Sequence, residues 1–271
     1  MNKDNEKVLL VAGDSWTYGS EIRDPRLSKS VFDWDKENDD YRLPRIWPTK
    51  LSNMFNFDRV VNLSYPAASN DRIIRHTIGW IVQQYISKNR STENLKVIVG
   101  FTSPERKDFY YKDDKNKFWI TLWPMWKHEH PTKAINEFSE LYTTYFYNQE
   151  ESTHRYLNQL FYLQSVFNLY KINFLFFQAF YQFKDMMIYN WLDNPYARNY
   201  NGQPDQMLWN MIDPVRFIHK NDKIHSFHNY ITSKDNDTEK RNAIQGMHPS
   251  ELGHTWWAEH LKDYIMENKL W

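Results

Sequence analysis

The sequence predicts an α/β protein: a three-layer α/β/α sandwich with a mostly parallel central sheet and a long helical, aromatic insertion. Three observations predict it. Short apolar runs recur at residues 8–12, 59–64, 95–100 and 172–177, bounded by polar or turn residues, as buried strands are. Stretches of helical periodicity separate the first three runs, and strand–helix–strand units close right-handed into parallel sheets. No internal repeat or low-complexity linker interrupts the 271 residues, so they read as one domain.

The first strand covers residues 7–13 and ends in Gly13-Asp14-Ser15-Trp16. A charged, proline-dotted stretch follows from Arg23 to Pro44, read as an exposed excursion over the serine turn, with the acidic run at 33–40 solvated. Trp47-Pro48 opens a short helix to Phe55, with proline in its first turn. The second strand is 59–64. Ser69-Asn70-Asp71 then supplies cap chemistry for a helix from Arg72 to about Ser87, with Ile74, Ile78, Ile81, Val82 and Tyr85 as its inward stripe. The third strand is 95–100.

The insertion covers about residues 104–170. Its aromatic runs at 109–111 and 118–122 flank a polar hexapeptide, a hairpin pattern, and two helices follow at about 133–146 and 153–170. Residues 172–177 form the fourth strand. Residues of about 181–232 read as irregular, with a short helix or strand at 213–218. The last helix starts at Ser250 and runs to about Glu267, with Trp257, Leu261, Tyr264 and Ile265 facing inward.

Composition excludes several function classes. Lys+Arg and Asp+Glu both number 34, so the net charge is zero, and neither a nucleic-acid partner nor an anionic membrane is expected. With no cysteine there is no disulfide, thiolate metal site or cysteine nucleophile. No apolar run approaches a membrane span, and a polar amino-terminal heptapeptide leads into the first strand. The expectation is a cytoplasmic protein without signal peptide or membrane segment. Aromatic residues make up 17% of the chain, a composition that suits an aromatic core and ring-stacking surfaces.

A serine on a sharp turn at the carboxyl end of a central strand is well placed for a nucleophile, since ligands gather at that edge of a parallel sheet. Its own backbone N–H there can face a developing oxyanion. The second motif is Gln245-Gly246-Met247-His248-Pro249 before the last helix. Proline after His248 and the helix start at Ser250 hold that imidazole, as a general base requires. His254 and His260, inside the helix, read as structural or solvated. His128-Glu129-His130 and the His225, His228 pair lack the convergence a metal needs, so no metal or other cofactor is expected. Neither a Walker-type loop nor G-x-G-x-x-G is present.

Gly13-Asp14-Ser15 after the first strand, with His248-Pro249 before the last helix, resembles the GDSL or SGNH hydrolases. The match covers the two ends and the first hundred residues. The runs Ser69-Asn70-Asp71-Arg72-Ile73 and 100–106 also resemble SGNH-like proteins of tailed bacteriophages, which implies a host-cell cytoplasm. The resemblance implies a flavodoxin-like sheet and ester hydrolysis through an acyl-enzyme, with Ser15 as nucleophile and His248 as base and then acid. It further implies Gln245 as the residue that orients His248, at the place of the family's aspartate. Ala67 stands where the family has a glycine whose N–H serves the oxyanion. Thr102 stands where it has an asparagine. Asp14, Asn70 and Arg106 complete the expected oxyanion and substrate-binding set. Gln245 can accept from the imidazole ring but cannot stabilise an imidazolium as a carboxylate does, and a backbone carbonyl or a remote acid is the alternative in its place. The aromatic insertion points to an O-acylated carbohydrate or another small-molecule ester. A catalytically silent SGNH-fold module that binds a glycan or protein, and an acyltransferase using the same residues, are the alternatives.

Overall fold

The computed structural model describes residues 5–28, 30–32, 34–125, 129–180, 203–220, 226–235 and 243–271. Four strands form the central sheet: β1 (Val8–Ala12), β2 (Arg59–Asn62), β3 (Leu95–Phe101) and, later in the chain, Asn173–Gln178. The last is the sixth strand, β6, because a hairpin of β4 (Lys107–Lys112) and β5 (Lys117–Leu122) precedes it. The sheet order is β2-β1-β3-β6, all parallel. Phe217 bridges Phe176 in parallel at its outer edge, so the segment read as helix or strand extends the sheet.

Strand alternation divides the core in two. Val8, Leu10, Val97, Val99, Phe174 and Phe176 face one side, packed against the helices α4 (Asn70–Gln84) and α6 (Gln149–Leu169). Leu9, Val11, Ile98, Leu175 and Phe177 face the other, packed against α3 (Trp47–Phe55) and the closing helix α9 (Glu251–Glu267). The result is the expected three-layer α/β/α sandwich. Runs buried on both faces read as continuous apolar strands, which is why the sheet was visible in sequence.

Two helical details differ from the periodicity. Of the expected stripe on α4, Ile74, Ile78 and Ile81 pack on the core with Tyr85 just beyond the helix, Ile73 and Thr77 join them, and Val82 is 42% exposed. Ser69 caps the helix, accepting from the Arg72 N–H at 3.1 Å, so it starts at Asn70, two residues before Arg72. Gln164, the polar residue on the buried face of α6, donates to the Met211 carbonyl at 2.9 Å and accepts from the Asp213 N–H at 2.8 Å. Both ends of its amide are thus satisfied, so its burial is tolerated.

A short helix, α1 (Ser15–Tyr18), follows the serine turn, and another, α2 (Asp39–Arg42), lies in the stretch read as an exposed excursion. The acidic run is ordered in part by buried Asn38, which donates to the Ile22 carbonyl at 2.8 Å and accepts from the Asp24 N–H at 2.9 Å. Asp108 anchors the β4–β5 hairpin to the start of α4: its carboxylate accepts from Ser69 at 2.6 Å, Thr121 at 2.7 Å and Arg75 at 2.8 Å. Arg75 is therefore a structural ion-pair partner. Among the described residues no helix is long and apolar enough to cross a membrane.

Candidate active site

The site lies beyond the carboxyl ends of β1 and β3. Both strands deliver chain to this edge, one into the serine turn and the other into the 102–106 turn. Ser15 is the first residue of α1, and Asp14 caps that helix by accepting from the Trp16 N–H at 3.0 Å. The Ser15 hydroxyl makes no hydrogen bond among the described residues. Gly19, at φ 84, ends α1, and the N–H groups of Gly19 and Ser20 both donate to the Ser15 carbonyl at 3.0 Å.

A cavity of about 930 Å³ opens on this serine. Ser15, Ala67, Arg106, Gln245 and His248 line it together, so the structure gathers five of the expected residues from four separate parts of the chain. Trp34, Phe32, Trp123 and Met247 supply apolar wall. Phe32 and Trp34 stack in parallel, 4.6 Å apart, with 53% and 52% of their surface open.

Ala67 has φ 58, the left-handed conformation that favours glycine. The chain therefore keeps a glycine-type turn without the glycine. Its N–H and that of Ser15 have no acceptor among the described residues, which leaves both able to meet an oxyanion. Arg106 is buried, its guanidinium 4.5 Å over the Trp123 ring, and it donates to the Ala68 carbonyl at 3.3 Å. It also stands 3.7 Å from the Asp14 carboxylate.

Three expected residues, Thr102, Asn70 and Asp14, do not line the cavity. Thr102 is fully buried and donates its hydroxyl to Asp14 at 2.8 Å, so that proton is not offered to the cavity. Its side chain is shorter than an asparagine's and finds the carboxylate directly beneath it. Asn70 is also buried: it accepts from the Thr102 N–H at 2.9 Å and donates to the Thr102 carbonyl at 3.2 Å, clamping the end of β3 instead of lining the cavity. Asp14 supports the serine turn from below. Burial pushes its carboxyl above the usual range, while Arg106, the Thr102 hydroxyl and the Trp16 N–H pull it back.

Gln245 lines the cavity without bonding to the His248 ring. It is exposed and pairs with His248 across the short hairpin of β7 (Ile244–Gln245) and β8 (His248–Pro249), but its amide makes no hydrogen bond to the ring. Residues directly opposite on a two-stranded ladder share a face without their polar tips having to meet. The group beside the ring is Glu21, whose Oε1 is 3.1 Å from His248 Nδ1. That is an ion-pair distance whose angle falls outside hydrogen-bond geometry; catalytic contacts of this kind commonly tighten only with substrate bound. Sequence reasoning left a remote acid open without naming Glu21, since no spacing rule links residue 21 to residue 248. The missed signal was the glycine at 246, opposite a carboxylate.

His254 is structural, as read: fully buried, it accepts from the Trp47 N–H at 3.3 Å through Nδ1. Burial, with Lys50 next, lowers its pKa to about 3. Among the described residues no group of three or more His, Cys, Asp or Glu side chains converges as metal ligands. His128 and His225 lie outside the described residues. His130 accepts from the Thr132 N–H, and His228 packs beside Trp16.

A family model matches residues 31–270, that of a family of unknown function, DUF6071. The chain belongs to the DUF6071 family. The matched span holds Ala67, Arg106 and His248, while Ser15 and Glu21 precede it. No curated protein matches this DUF6071 member. Among solved structures it is similar to a psychrotrophic esterase of Pseudoalteromonas sp. inhibited by monoethylphosphonate, at 8% identity and TM-score 0.45, over 97% of this chain and 98% of that one. It is similar also to a lipolytic protein of the G-D-S-L family from Veillonella parvula, at 11% identity and TM-score 0.42, over 96% of each chain.

Proposed function

We propose that this chain is a serine ester hydrolase working through an acyl-enzyme on O-acylated carbohydrate. The observation that carries the reading is the meeting of Ser15 and His248, 233 residues apart (248 − 15), on one cavity at the carboxyl edge of the sheet. His248 Nε2 takes the proton of Ser15 Oγ as that oxygen attacks the ester carbonyl. The oxyanion forms against the N–H groups of Ser15 and Ala67, with the Arg106 guanidinium nearby. Collapse expels the alcohol, which takes the proton back from His248. Water, deprotonated by the same imidazole, then releases the acid and restores Ser15. The stacked Phe32–Trp34 pair and Trp123 support a sugar as the alcohol, because aromatic faces pack against the C–H faces of pyranose rings.

A second reading, a silent glycan-binding module, is favoured by one observation: Thr102 spends its hydroxyl on Asp14, which leaves the hole one side-chain donor short. Loss of one such donor costs about 3 kcal/mol of barrier. Short-chain aryl-ester turnover by the wild type and Ser15→Ala tests the proposal, together with labelling by an organophosphonate. Turnover and label that both vanish in Ser15→Ala are expected. A wild type that neither turns over ester nor takes the label sinks the hydrolase reading in favour of the binder.

A further inference from the structure

We propose that Glu21 is the positioning residue of this site: its carboxylate holds the His248 imidazole with a proton on Nδ1 and leaves Nε2 as the acceptor for Ser15. The inference rests on the hydrolase reading above and names a residue which that reading does not contain.

An exposed ion pair alone would carry little, because such pairs are weak and common. Glu21 is tied into the site by more than its 3.1 Å approach to Nδ1. Its Oε2 accepts from the Met247 N–H at 3.2 Å, so the two oxygens serve two neighbouring groups of the histidine loop. Gly246, at φ 58, faces that carboxylate. A Cβ there would lie 2.3 Å from Oε2 and 2.9 Å from Cδ of Glu21. The loop gives up a side chain at the place the carboxylate occupies, so the two are built to fit.

The backbone of Glu21 adds a third observation. It has φ 69, a left-handed conformation that a non-glycine residue keeps only where its surroundings hold it. The turn that holds it is the cap of α1, where Gly19 and Ser20 donate to the Ser15 carbonyl and the Ile22 N–H donates to the Gly19 carbonyl at 3.3 Å. Nucleophile and carboxylate thus stand on one short turn. Only the imidazole arrives from the far end of the chain. The imidazolium that forms when Ser15 loses its proton then faces a carboxylate, which the Gln245 amide cannot replace.

The first test needs no turnover. Ring ¹⁵N shifts of His248 at neutral pH are expected to show the proton on Nδ1 in the wild type, and loss of that preference in Glu21→Ala. A wild-type ring protonated on Nε2, or a tautomer unchanged in Glu21→Ala, overturns the proposal. The second test reads catalysis. Glu21→Gln, which keeps the shape, is expected to lower kcat about 100-fold or more with KM changed less than about threefold. In a His248→Ala background the same substitution is expected to cost nothing further, since residues acting as one unit are not additive. Gly246→Ala is expected to reproduce the kcat loss by displacing the carboxylate. An undiminished kcat in Glu21→Gln, or an undiminished extra loss in the His248→Ala background, overturns the proposal while a Ser15-dependent turnover leaves the hydrolase reading standing. Turnover that ignores Ser15→Ala removes that reading, and the tautomer still decides on Glu21.

Discussion

The Thr102 hydroxyl donates to the Asp14 carboxylate at 2.8 Å, joining the ends of β3 and β1 beneath the serine turn. Both side chains are fully buried. Thr102→Val keeps the shape and removes the donor. It is expected to lower unfolding free energy by about 1–3 kcal/mol, the usual cost of leaving a buried acceptor short. Denaturant unfolding measures this, and a loss well below that range would show Asp14 satisfied by its other donors.

Ala67 pays a backbone cost for its conformation at φ 58. Ala67→Gly is expected to keep Ser15-dependent turnover, with stability changed by less than about 1 kcal/mol, because glycine retains the N–H and prefers that region. Ala67→Val is expected to lower stability by about 1–3 kcal/mol, as a β-branched residue is strained there. Equal melting temperatures for the two variants would argue against the left-handed turn.

Trp34, stacked on Phe32 at the mouth of the cavity, is half exposed and free to meet a ligand. Trp34→Ala is expected to raise KM for an O-acetylated sugar roughly tenfold, with less effect on a short aryl ester, the size of one lost ring contact. Equal KM changes for the two substrates would remove the sugar from that surface.

Two histidines make the fold sensitive to acid. His254 and His260 both have pKa values lowered from 6.5 to about 3, chiefly by burial; in His260 the neighbouring His219 adds to it. The unfolded chain takes up these protons near pH 6.5 while the folded chain does not. Stability is therefore full above pH 6.5 and falls as pH drops towards about 3, by about 1.4 kcal/mol per pH unit for each group. His254→Asn keeps an acceptor for the Trp47 N–H and removes one titration. Urea midpoints between pH 7 and 5 are expected to fall less steeply in the variant. An unchanged slope would show that His254 does not contribute.

From the sequence alone came the sheet, the serine turn and the histidine loop. The strands were legible because burial on both faces leaves continuous apolar runs. Ser15 and His248 were legible because each stands on a local signal, glycine before the serine turn and proline after the histidine. The exposure of Val82 on α4 was not, since it borders an apolar stripe whose other members pack on the core. What only the tertiary structure decided is which polar groups face which. Thr102 and Asn70 were read as cavity residues and are buried in the joint between β1 and β3, because their nearest partners belong to other strands and helices. The partner of His248 was sought three residues away, with a remote acid left open, and Glu21, 227 positions earlier (248 − 21), stands beside it. Local spacing encodes backbone shape; a hydrogen-bonding or ionic partner is chosen by proximity after the chain has closed, and that is a property of the packed fold.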